Sequence, residues 1–170
     1  MMIKKSSVLW MIGILLFMQM SQASVNDNVS GFMNNELSRD EWKVSASNIR
    51  NENQAPGKAI DDKVNTRWTN GAIQKGGEWF QIDMNAKQSF NEIELFQAKA
   101  VNDYPRGYEV YVSQDGTNWG KPIATGKGTE GEATIITLKT PVDARYVKIV
   151  QTGTADSSWW SIHEIYIRKK

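Results

Sequence analysis

Residue types able to do chemistry gather in two places. Near the C-terminus, Ser157-Ser158-Trp159-Trp160-Ser161-Ile162-His163-Glu164-Ile165 holds two adjacent indoles, the only histidine and a carboxylate. Upstream, Ala59-Ile60-Asp61-Asp62-Lys63-Val64-Asn65-Thr66-Arg67-Trp68 places two carboxylates, an amide and a hydroxyl just before a tryptophan. Nucleophilic catalysis has little to use. The chain has no cysteine, and any serine would depend on His163 as its base. His163 stands in an Ile-rich terminal stretch and reads as a packed, hydrogen-bonded imidazole. Zinc wants several His or Cys ligands, which the chain lacks. A glycosidase-like carboxylate pair is no signal in a chain with 19 acidic residues. The chain is expected not to be an enzyme.

The oxygen-rich stretch has two readings. Calcium takes six to eight oxygens, many of them carbonyls of a tightly turned loop. The same residue types also build a plain turn with Asx hydrogen bonds. The tandem Trp159-Trp160 poses a sharper question. Successive side chains of a strand point to opposite sides, so a half-buried strand hides at most one of two neighbouring rings. The other ring either lies as a lid on the domain end or stays open as a platform for the apolar face of a sugar. Nearby Asn, Asp and Arg groups would then fix the hydroxyls.

These groups need a scaffold. Lys4 and Lys5, the apolar run Val8–Met18 and the small residues of Ser21-Gln22-Ala23 read as a secretory signal over 1–23, cut after Ala23. The run is too short to span a bilayer comfortably. Export without any cysteine suits a bacterial periplasm or exterior. Residues 24–40, rich in Asn, Ser and Asp, read as a flexible leader. Without the signal lysines the formal charge stays close to zero, which disfavours nucleic acid or an anionic membrane as partner. From residue 41 to 170 short runs with period-two patterning alternate with turn residues: 42–46, 78–84, 92–97, 108–113, 123–126, 133–138, 145–152 and 161–168. Turn signals stand at Gly76-Gly77, Asp115-Gly116, Gly126 to Gly131 and Pro141. No window carries a long helical stripe. The pattern predicts an all-β fold, an antiparallel β-sandwich of about eight main strands. Loops would gather at its two poles, where residues distant in sequence can meet. Six of the seven tryptophans fall in this region. Trp42, Trp68 and Trp79 read as packing residues, and Trp119 closes a hairpin corner.

Several segments together resemble the discoidin domain, also called the coagulation factor 5/8 type C domain, and its bacterial branch, carbohydrate-binding module family 32. They are Trp42-Lys43-Val44-Ser45-Ala46-Ser47, the stretch Ala59 to Trp68, Gly77-Glu78-Trp79-Phe80-Gln81-Ile82-Asp83-Met84, Asp103 to Trp119, Ala144 to Gly153, and Trp159 to Ile167. The resemblance implies a galactose-binding-like jelly roll. It also implies a structural Ca2+ held by the Asp61 carboxylate, the carbonyls of Lys58 and Lys63, the carbonyl and hydroxyl of Thr66, and Glu164. The family usually has Asp-Gly-Asp or Asp-Gly-Asn where this chain has Asp61-Asp62-Lys63. Sugar binding in the family uses loops of one pole. By position these are the segment after Trp68, the segment Gln97–Arg106 and the loop before the last strand. Galactose-binding members carry a His where this chain has Thr69, and an Arg where it has Gln97, while Asn102 matches. The implied ligand residues are Gln97, Asn102, Asp103, Tyr104 and Arg106, with Trp159 or Trp160 as the platform.

The expected protein is a secreted or periplasmic, non-catalytic carbohydrate-binding module or lectin. Its partner would be a glycan or polysaccharide, and it could accompany a separate glycoside hydrolase. The alternative is a discoidin-type module for cell-surface or protein adhesion, with Trp159 and Trp160 as apolar spikes and no membrane insertion.

Overall fold

The computed structural model describes residues 35–170. The signal expected over 1–23 and most of the leader lie outside them. Eight strands follow in order: β1 (Lys43–Ala46), β2 (Trp68–Thr69), β3 (Trp79–Phe96), β4 (Tyr108–Ser113), β5 (Ala124–Gly126), β6 (Ala133–Gln151), β7 (Ser161–Ile162) and β8 (Glu164–Arg168). Two short 3-10 turns, Glu52–Gln54 and Pro56–Ala59, separate β1 from β2. All pairings are antiparallel.

The sandwich arises from two long strands that serve both layers. The first half of β3, Trp79–Asp83, pairs with β1 on one side and with the second half of β6 on the other. That half of β6 then pairs with β4, and β4 with β5. Beyond register shifts at Asp83/Gln88 and Phe90/Glu92, the second half of β3 pairs with the first half of β6 and with β8. Asn85 adopts a left-handed conformation there (φ 65°), which asparagine tolerates better than most residues. The runs expected at 78–84 and 92–97 are therefore one bent strand, as are those at 133–138 and 145–152.

Alternation explains the core. Phe80, Ile82 and Met84 on one half of β3, Ile93 and Leu95 on the other, and Ile136, Leu138, Val147 and Ile149 of β6 all face inward and are buried. Period two puts them on one side of each strand. Trp68 meets Phe80 edge-on, with ring centroids 5.1 Å apart, and Trp160 at 5.0 Å and 85°. Such edge-to-face pairs add to the area they bury.

The leader expected to be free up to residue 40 is not free over its last residues. Glu36 bridges Arg168, and the Leu37 amide donates to the Ile167 carbonyl (2.9 Å). Arg39 Nη1 reaches the Ile165 carbonyl (3.2 Å). This strap runs along β8 on the side away from β3. Composition could not reveal it, because its hold comes from strand-edge groups of β8 that pair with any backbone.

Candidate functional site

One pole is assembled by three loops that a single buried glutamine ties together. Gln74 Nε2 donates to the carbonyls of Tyr104 (3.0 Å) and Trp159 (2.7 Å), and its Oε1 accepts from the Arg106 amide (3.0 Å). Its own backbone pairs with Ser158 and Ala155. Segments 69–77, 103–106 and 155–160 are thus held in one arrangement. Asn70 completes the joint: its Oδ1 accepts from the Trp160 amide (3.1 Å), and its amide donates to the Trp160 carbonyl (3.0 Å). Neither residue carried a sequence signal, since a lone Gln or Asn in a turn-rich loop usually faces water.

The tandem tryptophans divide as strand geometry requires. Trp160 is fully buried against Trp68. The expectation of Trp160 as a candidate open platform is corrected: β2 pairs with β7, Trp68 opposite Ile162, and the Trp160 ring lies in the core. Trp159 remains half-buried at the surface with the Arg50 guanidinium 4.7 Å from its ring centroid. Arg50 is placed by Gly71 (φ +70°), where an added Cβ would lie 2.7 Å from the Arg50 Cα. Only glycine permits that approach.

The expected ligand residues separate in the same way. Asn102 is exposed, Asp103 and Tyr104 are half-buried, and all three lie on the pole. Arg106 lays its guanidinium 3.8 Å from the Tyr104 ring centroid and donates to the carbonyls of Tyr104 (3.1 Å) and Asn102 (3.0 Å). Gly153 makes room for it, since a Cβ there would stand 2.5 Å from that of Arg106. Asp103 is engaged already, accepting from Ser161 Oγ (2.7 Å) and Arg67 (3.5 Å). Gln97 does not belong to the pole surface. It is fully buried, donates to the Thr129 carbonyl (3.2 Å) and accepts from the Thr134 amide (3.0 Å). β3 ends at Phe96, and the next side chain turns inward to satisfy the start of β6. A buried amide must find such partners.

His163 is 8 % exposed and its Nδ1 lies 2.9 Å from the Val64 carbonyl. Burial, helped by nearby Arg67, lowers its pKa from the ordinary value. It is a packed imidazole, as the sequence suggested.

The residues expected to hold calcium do meet, but around another cation. Asp61 Oδ1 accepts from Thr66 Oγ1 (2.7 Å) and the Lys63 amide (3.2 Å). The Lys63 carbonyl accepts from both the amide and the hydroxyl of Thr66 (2.9 Å each). Lys58 enters through its ammonium, 3.4 Å from Asp61 Oδ2. Glu164, fully buried, accepts from the Lys63 amide (2.8 Å) and from Arg39. Arg39 also pairs with Asp62, which stands in a left-handed conformation (φ 58°). Burial pushes the Glu164 carboxyl above the ordinary range, while Arg39 and the Lys63 amide draw it back. These residues do not fit calcium. The Asp61 and Glu164 carboxylates and the Lys63 carbonyl already have protein donors, and a guanidinium and an N–H point where a divalent ion would need bare oxygens. Among the described residues no three acidic or histidine side chains form a metal-holding group.

Two long strands shared between layers, with ligand-capable loops joined at one pole, define a galactose-binding-like β-sandwich. The chain belongs to the F5/8 type C domain family, which matches residues 43–165. Galactose oxidase of Gibberella zeae is 33% identical over 139 residues, covering 77% of this chain and 20% of that protein. The chain thus spans about a fifth of that relative's length. Among solved structures, the family 32 module of Clostridium perfringens NanJ, in complex with galactose, superposes with a TM-score of 0.66 at 18% identity, covering 78% of this chain and 97% of that one. A second Clostridium perfringens CBM32 module, in complex with GalNAc-β-1,3-galactose, gives 0.67 at 20% identity, covering 78% and 99%. The C-terminal domain of a Bacteroides fragilis chitobiase gives 0.67 at 26% identity, covering 79% and 97%.

Proposed function

We propose that this chain is an exported, non-catalytic carbohydrate-binding module whose ligand lies on the pole formed by segments 69–77, 102–106 and 155–160. The observation that carries this reading is the Trp159 indole, half-open on a rim that Gln74 holds rigid, beside Asn102 and the Tyr104–Arg106 stack. An aromatic face with fixed polar groups at its edge suits a sugar ring. Family membership and the sugars held by the superposed modules support it. A shallow site of this kind binds in the high-micromolar to millimolar range, about −4 to −6 kcal/mol. Useful retention on a polysaccharide would then require several copies or an associated hydrolase. The scaffold of this module rests on the Arg39–Glu164 contact instead of calcium. Among the described residues no helix is long and apolar enough to cross a membrane.

A glycan array tests the proposal. Wild-type protein binds a defined saccharide, and Trp159→Ala loses that binding while its thermal midpoint stays within a few degrees. Retention of full binding by Trp159→Ala would remove the platform from the account. A second reading, adhesion to protein surfaces, draws on Ile73 and Val101, 40% and 38% exposed on the same loops. Adhesion that no saccharide competes away would favour it.

A further inference from the structure

The chain has six arginines, all within the described residues. Four are matched to carboxylates: Arg39 to Glu164 and Asp62, Arg67 to Asp103, Arg145 to Asp83, and Arg168 to Glu36, Glu92 and Glu94. The remaining two, Arg50 and Arg106, have no carboxylate partner among the described residues, and both stand on the ligand pole. Each stacks on one of its two aromatic rings, Trp159 and Tyr104. The backbones that carry these rings are neighbours in space, because one Gln74 nitrogen bonds the carbonyls of both residues.

We infer that the saccharide bound at this pole is anionic, its carboxylate or sulfate received by Arg50 and Arg106. This rests on the reading of the pole as a glycan site. A guanidinium stacked on a ring spends its face on the π-system and leaves its in-plane N–H groups directed outward. Arg106 gives one N–H to each of two carbonyls, which fixes its plane and leaves three of its five donors. Arg50 is exposed and makes no side-chain hydrogen bond among the described residues. Planar donors held beside a sugar-stacking ring match the two oxygens of a carboxylate, or two of a sulfate. Asp103, on the rim, is ion-paired with Arg67 and accepts a hydrogen bond from Ser161. Asp156, exposed on the 155–160 loop, pairs with neither arginine.

Calorimetric titration separates the possibilities. The probes are a uronic acid oligosaccharide, its carboxyl-reduced neutral form, and a sulfated oligosaccharide of equal length. Full-length protein is expected to bind at least one acidic probe about tenfold or more tighter than the neutral form, with a preference that shrinks as salt is raised. Which acidic probe wins tells carboxylate from sulfate. Arg50→Gln and Arg106→Gln are each expected to reduce that preference, read as the ratio of acidic to neutral affinity within the same variant. Arg50→Gln guards against a folding artefact, because Arg50's side chain is exposed and makes no hydrogen bond among the described residues. Equal binding of acidic and neutral probes overturns the anionic inference and leaves the glycan site standing. Failure of every saccharide to bind overturns the glycan reading beneath it.

Discussion

Arg39 and Arg106 show how one residue type can be spent in opposite ways. Arg39 is 8% exposed in its side chain and faces a fully buried carboxylate. Its charge is consumed inside the molecule, where it closes the strap against Glu164 and the Ile165 carbonyl. Arg106 lies on an aromatic ring with only carbonyls for partners, and its charge remains available outside. The difference teaches that an arginine's role is read from what neutralises it, more than from its exposure. Paired guanidinia hold the fold, and the two without a carboxylate partner among the described residues stand on the proposed ligand rim.

Breaking the inner pair should give the largest effect. Arg39→Ala leaves Glu164 buried without its cation and is expected to lower stability by about 3–5 kcal/mol, measured by urea denaturation. Arg50→Ala should stay within about 0.5 kcal/mol, as surface changes do. In wild type, neither added calcium nor a chelator should move the thermal midpoint, whereas a ligand that bound the folded state would raise it. A clear rise with calcium would return Asp61 and Glu164 to a metal site.

The joint between loops comes next. Gln74→Ala strands the Tyr104 and Trp159 carbonyls and the Arg106 amide, at about 1–3 kcal/mol for buried groups left unpaired. It should also weaken saccharide binding severalfold, as Trp159 and the Tyr104–Arg106 stack lose their common reference. Intact binding in this variant would show that the loops hold their positions unaided.

The smallest effect concerns a paired arginine at the surface. The Arg145 hydrogen bond, with the Asn85 amide helping, holds Asp83 below the usual carboxylate range. A depressed folded-state pKa means that Asp83 contributes stability fully above the unfolded range. That contribution disappears as pH falls through the folded value. Melting curves at falling pH should therefore decline less steeply for Asp83→Asn than for wild type. Parallel acid limbs would mean that the pair adds nothing, as holds for many exposed pairs.

Legibility in the sequence followed the same division. Strand alternation around Val110, Val147 and Ile149 made the sandwich readable, and period two dictated that only one of Trp159 and Trp160 could be buried. Which one depended on the register of β7 against β2, a two-residue pairing with no local signature. Gln97 was placed on the rim by its position in the family's pattern, whereas its side chain turns inward and serves the first residues of β6. Arg39 sat in a polar leader whose composition signalled freedom, and its partner lies 125 positions away. Long-range ion pairs leave no trace in spacing. Gln74 was equally silent, since its importance lies in two carbonyls that any residue could have offered.

The strap along β8 has one more consequence. A strand with an unpaired flank is a template on which a second molecule can grow its own strand. In this domain Glu36, Leu37 and Arg39 already hold backbone positions along that flank. Nicking or lifting those few residues would therefore do more than loosen the fold. It would bare an adhesive edge and turn the domain into a seed for aggregation.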